Sequence, residues 1–309
     1  MNKLDVLIIG SGCAGMSCAI YSARYKRKTL IIGEKVGGLM NDAHWVENYP
    51  GYTRITGMDL IKKFKEHVDS LKVEFKDDEI VNVKKKNNGF EVKTKSGEMY
   101  STKTVVFATG SEPRILPVEG EKEFRSKGVS YCATCDAAMF KDKMVGVVGG
   151  SDAATIEADL LAKYAKKVYI IYRGDALRAE PINIDMINKN KNIEIIYKTN
   201  ITKIKGDKFM NAIELDKPYK GKKELALEGL FVTIGHTSNT ELAKNLGVKM
   251  DEKAQIMTNK EAQTNVAGIF AAGDCTNNQL KQIIICAAEG VLAAFSANRY
   301  IRSTNNAKK

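Results

Sequence analysis

No apolar run in this 309-residue chain approaches the roughly 18 to 20 residues that cross a bilayer, so a membrane protein is not expected. Aromatic residues do not interleave with arginines, which removes the signature of a single-strand nucleic-acid binder. Histidine is scarce, and His44, His67 and His236 form no paired metal motif. Only six cysteines occur, too few in so long a chain for a disulfide scaffold, which is a device of small secreted domains. Nor is a signal peptide expected. The apolar start after Lys3 is interrupted by Gly10, Ser11 and Gly12, and Asp5 sits where such a peptide avoids acids, so a cytoplasmic protein with a mature N-terminus is expected.

What remains is a chain 44% apolar, enough for packed cores, and long enough for two domains of roughly 100 to 200 residues. Lysine and arginine (48) exceed aspartate and glutamate (37), a net charge of +11. The lysines are scattered, the longest run being Lys84-Lys85-Lys86, so this reads as a solvated surface without nucleic-acid or membrane partners.

One pattern occurs twice: an apolar strand, a glycine turn, a small-residue helix and a second apolar strand. The first copy runs from Leu4 through Gly10-Ser11-Gly12-Cys13-Ala14-Gly15 to a helix ending near Arg24 and a strand at Thr29 to Ile32. The second runs from Met144 through Gly149-Gly150-Ser151-Asp152-Ala153-Ala154 to a helix ending near Ala165 and a strand at Val168 to Tyr172. Strand-helix-strand units imply parallel sheets with helices on their faces. Gly10-x-Gly12-x-x-Gly15 is a dinucleotide fingerprint, whose glycines give a tight turn, close approach to a pyrophosphate and close strand-helix packing. The second copy departs from it, with Ser151 at the middle position and Ala154 at the third. Two further stretches, Thr104 to Gly110 and Thr264 to Asp274, end strands in small-residue turns. If both join the first copy, the second is inserted into a discontinuous first domain.

The pair Cys132-Ala133-Thr134-Cys135 has three readings. As a staple it closes a four-residue loop, worth about 2 kcal/mol in the chain-entropy account against about 3 for fifteen residues. As a zinc site it lacks two further ligands at metal-like spacing. As a redox pair it needs thiolate, and Ala137 and Ala138 beyond it favour a helix whose N-terminal potential would supply it. The redox reading fits best, and with two nucleotide sites it suggests electron flow from a soluble carrier through a flavin to a disulfide.

In order along the chain, Gly10 to Gly15, Gly37-Gly38, Val46-Glu47-Asn48-Tyr49-Pro50-Gly51, Ala108-Thr109-Gly110, Cys132-Ala133-Thr134-Cys135-Asp136, Gly149 to Ala154, Gly235-His236 with Asn239-Thr240, and Gly273-Asp274 with Lys281-Gln282 resemble the low-molecular-weight thioredoxin reductases. The resemblance implies an α/β protein with two Rossmann-like dinucleotide-binding domains of three-layer ββα type. Residues 1–114 and 240–309 would bind FAD, and residues 115–239, inserted between them, NAD(P)H. It places Gly10, Ser11, Gly12, Ala14, Gly15, Glu34, Gly38, Leu39, Asn48, Ile80, Ala108, Thr109, Gly110, Gly273, Asp274, Lys281, Gln282 and Ile283 at FAD. Gly149, Gly150, Ser151, Asp152, Ala153, Arg173 and Arg178 fall at the nicotinamide dinucleotide.

The resemblance further implies that Cys135 faces the flavin, Cys132 attacks the substrate disulfide and Asp136 handles the proton. It also implies a thioredoxin- or glutaredoxin-like partner, a homodimer, and a domain rotation hinged near residues 112–116 and 237–242. NADPH is the expected donor, carried by Arg173 and Arg178, although Gly174 stands where a second adjacent arginine is usual. NADH or another donor, a dithiol oxidase or small-disulfide reductase, and a non-catalytic FAD-binding redox sensor are the competing readings. Cys18, Cys275 and Cys286 are expected to be packed thiols.

Overall fold

The computed structural model describes residues 2–43, 45–87 and 89–306; His44 lies outside them. The first stretch gives strand β1 (Asn2–Ile9), helix α1 (Cys13–Arg24), β2 (Thr29–Ile32), α2 (Gly57–Ser70), β3 (Glu74–Lys76), β4 (Ile80–Lys86), β5 (Gly89–Thr94), β6 (Met99–Phe107) and β7 (Ser111–Pro113). Next come α3 (Glu121–Phe124), β8 (Val129–Ser130), α4 (Ala133–Asp136), β9 (Met144–Val148), α5 (Asp152–Ala162), β10 (Lys167–Ile171), α6 (Pro181–Asn188) and β11 (Ile193–Ile196). A run of strands follows, β12 (Ile201–Gly206), β13 (Met210–Tyr219), β14 (Lys222–Ala226), β15 (Gly229–Val232) and β16 (His236–Ser238). The chain ends with α7 (Glu241–Lys244), β17 (Ile269–Ala271) and α8 (Ile283–Asn306).

Two compact units result, Met1–Glu112 with Ser238–Lys309, and Pro113–Thr237. The crossings lie slightly N-terminal to the expected ones, inside β7 and β16, which pair with each other. In the first unit β3-β2-β1-β6-β17 run parallel, while β5 and β4 continue from β6 in antiparallel fashion. In the second, β11-β10-β9-β15-β8 are all parallel and β12-β13-β14 form an antiparallel meander. Each unit is thus a parallel sheet with helices and a small antiparallel layer.

Alternation along the strands builds the core. On β1, Val6 and Ile8 face one hydrophobic cluster while Leu7 and Ile9 face another. On β9, Val145 and Val147 face one cluster and Val148 the opposite one. Burial on both faces is what a parallel sheet needs, and truncating a fully buried Leu7 to alanine would cost about 2 to 5 kcal/mol.

One helix tests the expectation that no segment spans a membrane. Over Ile283–Thr304, α8 has the length and hydropathy of a membrane-spanning helix. Its Cys286, Ala293, Ala294, Ala297 and Ile301 nevertheless sit in the first unit's core, and a Cβ at Gly290 would fall 2.1 Å from the Ala14 carbonyl oxygen. The small residues that raise its hydropathy are the ones that let it lie against α1 at backbone distance.

Candidate active site

In the first unit the three fingerprint glycines are needed for different reasons. Gly10 has a φ of +109°, and a Cβ there would meet the Ala108 carbonyl oxygen at 2.1 Å. A Cβ at Gly15 would fall 2.0 Å from the Gly10 carbonyl oxygen, so glycine lets α1 close onto the turn. Gly12 is different. Its φ of −75° suits any residue, and a Cβ there would find nothing nearer than the Gly37 carbonyl oxygen at 4.0 Å.

Gly38 borders the same space, since its Cβ would lie 3.6 Å from the Gly12 Cα. No side chain caps α1, which leaves its first-turn N–H groups without an intrahelical acceptor. A side-chain-free surface beside uncapped helix N–H groups fits a dinucleotide pyrophosphate. Ser11 contributes backbone only, because its buried hydroxyl donates to the Lys35 carbonyl at 2.9 Å.

The other residues expected at FAD all fall in this unit, several in direct contact. Asn48 donates to Gln282 at 2.9 Å. The Thr109 hydroxyl donates to the Asn239 carbonyl, and Gly110 accepts from the Asn239 amide at 3.0 Å. Asp274 accepts from the Cys286 thiol at 3.1 Å, and Lys281 donates to the Thr276 carbonyl. Ala14 is buried against Gly273, Leu39 is half-buried in the turn after Gly38, and Ile283 opens α8. Glu34 is exposed just beyond β2. Ile80 begins β4 with its side chain in the core, so only its backbone can face a ligand.

Sequence reasoning missed Glu289. Its carboxylate accepts from the Gly273 amide at 2.6 Å and from the Asn278 side chain at 2.7 Å, and so fixes the Gly273-Asp274 turn. The signal was an acid on the apolar, small-residue stretch of α8.

The second glycine turn is built otherwise. Gly149 has a φ of +151° and would clash with Thr233, but Gly150 is needed because the Tyr172 ring lies 2.6 Å from where its Cβ would be. The same ring explains Gly174, whose Cβ would approach it at 2.5 Å. Tyr172 thus occupies the space around the position where a second arginine was looked for. Arg178 stacks over this ring at 5.9 Å and donates its amide to the Gly150 carbonyl at 2.7 Å.

Arg173 and Arg178 are exposed, and so is Ala153 on the first turn of α5. Ser151 stands at the N-cap of α5 but makes no capping bond. The Asp152 carboxylate accepts from the Glu180 amide at 2.6 Å and from Asn183 at 2.8 Å, tying the arginine-bearing loop to the helix.

Cys132 and Cys135 are joined by a disulfide with an S–S distance of 2.07 Å. The helix expected to begin at the pair does so, with Cys132 at its N-cap, but it is only the single turn α4, followed by a 3-10 turn over Ala137–Phe140. So short an element sums few peptide dipoles, and a local donor adds to them: the Cys135 amide points at Cys132 Sγ at 3.1 Å. Such a bond favours thiolate at Cys132. Cys135 is exposed and Cys132 half-buried, so exposure and hydrogen bonding single out different members of the pair.

Asp136 accepts from the Ser130 hydroxyl at 2.6 Å. Just before the pair, the Tyr131 hydroxyl donates to Glu121 at 2.8 Å, and Glu121 is buried in a bidentate pair with Arg125. Burial pushes the Tyr131 phenol up to about 12.

The remaining cysteines are buried. Burial pushes the Cys18 thiol up to about 12 and raises Cys275, which points at the Ala272 carbonyl. Cys286 is raised by its hydrogen bond with Cys13 and by burial, so it stays a thiol and can donate to Asp274.

Fold and site together define a class: two dinucleotide-binding units, one carrying a disulfide on its surface. The chain matches the pyridine nucleotide-disulphide oxidoreductase family over residues 4–290 and belongs to it, and it is an oxidoreductase. It is 40% identical to a thioredoxin reductase of Peptoclostridium acidaminophilum over 98% of both chains. The Lactococcus lactis thioredoxin reductase crystal structure superposes with a TM-score of 0.93 at 35% identity, covering 97% of this chain and 99% of that one. A ferredoxin-flavin thioredoxin reductase from Clostridium acetobutylicum matches at a TM-score of 0.55 and 30% identity, covering 99% of each.

Proposed function

We propose that this protein is a thioredoxin-disulfide reductase that draws electrons from NADPH and delivers them, through Cys132 and Cys135, to a thioredoxin-like protein disulfide. The observation that carries this reading is the surface disulfide Cys132–Cys135 in a full-length match to thioredoxin reductases. FAD, when bound, supplies the two-electron relay between a nicotinamide and a disulfide. Gly12, Gly38 and the first turn of α1 would hold its pyrophosphate, and Asp274, aligned by Cys286 and Glu289, its ribityl hydroxyls. The turn at Gly149 to Ala153, with Arg173 and Arg178, would hold the nicotinamide dinucleotide.

The chain's own chemistry is thiol-disulfide exchange. In the reduced pair, Cys132 thiolate attacks one sulfur of the partner disulfide, breaks its S–S bond and forms a mixed disulfide. The departing partner thiolate takes a proton from Asp136. Asp136, now ionised, takes the proton of the Cys135 thiol, and the Cys135 thiolate attacks Cys132 Sγ, breaks the mixed disulfide and releases the second partner thiolate to be protonated by solvent, so the partner gains two electrons and the Cys132–Cys135 disulfide returns. The hydrogen bond from the Cys135 amide to Cys132 Sγ supports Cys132 as the attacking residue. We also propose that the chain associates as a homodimer, as its resemblance to thioredoxin reductases implies, with light scattering expected to report a dimer.

Trapping tests the assignment. Cys135→Ser should lose disulfide-reductase turnover and accumulate a mixed disulfide between Cys132 and thioredoxin. A mixed disulfide that forms only with Cys132→Ser would exchange the two roles, and retained turnover in Cys135→Ser would reject the scheme. A second reading, a donor other than NADPH, is favoured by Tyr172 filling the space at Gly174. Anaerobic titration of the bound flavin with NADPH and NADH decides between them.

A further inference from the structure

Ser130 ends β8 two residues before the redox pair, with 7% of its surface exposed. Its oxygen lies 2.6 Å from Asp136 Oδ2, accepts from the Cys132 amide at 3.1 Å, and stands 3.4 Å from the Cys132 carbonyl oxygen. A hydroxyl has one proton to give, and the shorter contact to the carboxylate takes it.

We propose that Ser130 is a positioning residue for disulfide exchange, clamping the Asp136 carboxylate and the Cys132 backbone in one frame so that Asp136 delivers its proton to the departing thiolate. The inference rests on the reading of Asp136 as the proton-transfer residue. Asp136 ends a single-turn helix, where nothing in the turn itself selects its rotamer. A 2.6 Å bond from a buried hydroxyl does select it, by engaging Oδ2. The same oxygen holds the Cys132 amide, so the proton donor and the attacking residue share one anchor.

The leaving group separates this role from a structural one. Proton delivery matters when the departing thiolate is strongly basic, as from a dialkyl disulfide, and hardly at all for an aromatic thiolate of low proton affinity. Holoenzyme carrying Ser130→Ala, Ser130→Thr, Asp136→Asn or Ser130→Ala with Asp136→Asn is reduced anaerobically. Each is then mixed with hydroxyethyl disulfide or with 5,5′-dithiobis(2-nitrobenzoate), and the exchange rate is followed.

Ser130→Ala is expected to slow the dialkyl reaction about tenfold, the rate equivalent of one ordinary hydrogen bond, and the aromatic reaction less than about twofold. Ser130→Thr, which keeps the hydroxyl, should restore the dialkyl rate. On top of Asp136→Asn, Ser130→Ala should add less than about twofold. Equal slowing with both disulfides, or an additive loss in the double variant, overturns the inference and leaves Ser130 a turn-stabilising residue. A wild-type dialkyl rate in Asp136→Asn would instead overturn the role given to Asp136.

Discussion

The two glycine turns occupy the same place in two units of the same construction, yet they are closed by different atoms. In the first, Gly12 is surrounded by open space and backbone, and no protein atom requires it to be glycine. In the second, the middle position is Ser151, and the glycine beside it is demanded by the Tyr172 ring. A glycine that neither φ nor packing explains marks a place kept clear for a ligand. A glycine covered by a protein ring does not. The first turn therefore carries the stronger evidence of a nucleotide, and the second has given part of its approach surface to Tyr172 and Arg178.

The largest effect that would break this comparison concerns Gly15. Gly15→Ala sets a Cβ 2.0 Å from a backbone oxygen that cannot rotate away. Helix propensity favours the alanine by about 1 kcal/mol, but overpacking against backbone costs about 3 or more. The net loss of about 2 kcal/mol should lower the melting temperature by roughly 4 to 8 °C for a unit of this size, read by circular dichroism. An unchanged melting temperature would mean that α1 is not packed onto the turn as described.

Gly12→Ala should do the reverse. With its φ of −75° and no close neighbour, the flavin-free protein should melt as wild type does. Flavin retention should fall about ten- to a hundredfold, the equivalent of one charge-assisted hydrogen bond lost from the pyrophosphate, measured by absorbance after dialysis. Full flavin retention would show that the open space is not where the dinucleotide lies.

Much of this was legible in the sequence because backbone requirements are local. The glycine fingerprint and the strand-helix-strand repeat follow from turn chemistry and apolar runs, while the insertion of one unit into the other hung on where Thr104 to Gly110 and Thr264 to Asp274 would fold. Packing across long separations was not legible. Tyr172 could be named as the end of a strand, but not as the wall behind Gly150 and Gly174, because sequence does not say where a ring turns. Ser130 reads as an ordinary strand residue until the fold brings its hydroxyl to Asp136. Glu289 lies sixteen residues from the glycine whose amide it holds, across a loop whose path only the structure gives. The helix expected to begin at the cysteines does begin there, but its length was not legible: Ala137 and Ala138 favour helix locally, yet the chain tightens into a 3-10 turn after one turn of α4.

The smallest effect sharpens the comparison from the other side. Ser151→Gly would give the second turn the open middle position that the first already has. Ser151 makes no capping bond, so its hydroxyl contributes little to α5, and the stability change should stay within the cost of one added glycine, about 1 kcal/mol. If the serine side chain holds a nicotinamide dinucleotide away from the helix N–H groups, KM for that dinucleotide should fall several-fold with kcat unchanged, because the gain is in binding alone. NADPH and NADH should gain alike, since the pyrophosphate is common to both while Arg173 and Arg178 lie beyond it. A KM unchanged for both would indicate that Ser151 already points away from the phosphates, and that the wall at Tyr172, rather than the turn, sets how this unit receives its electron donor.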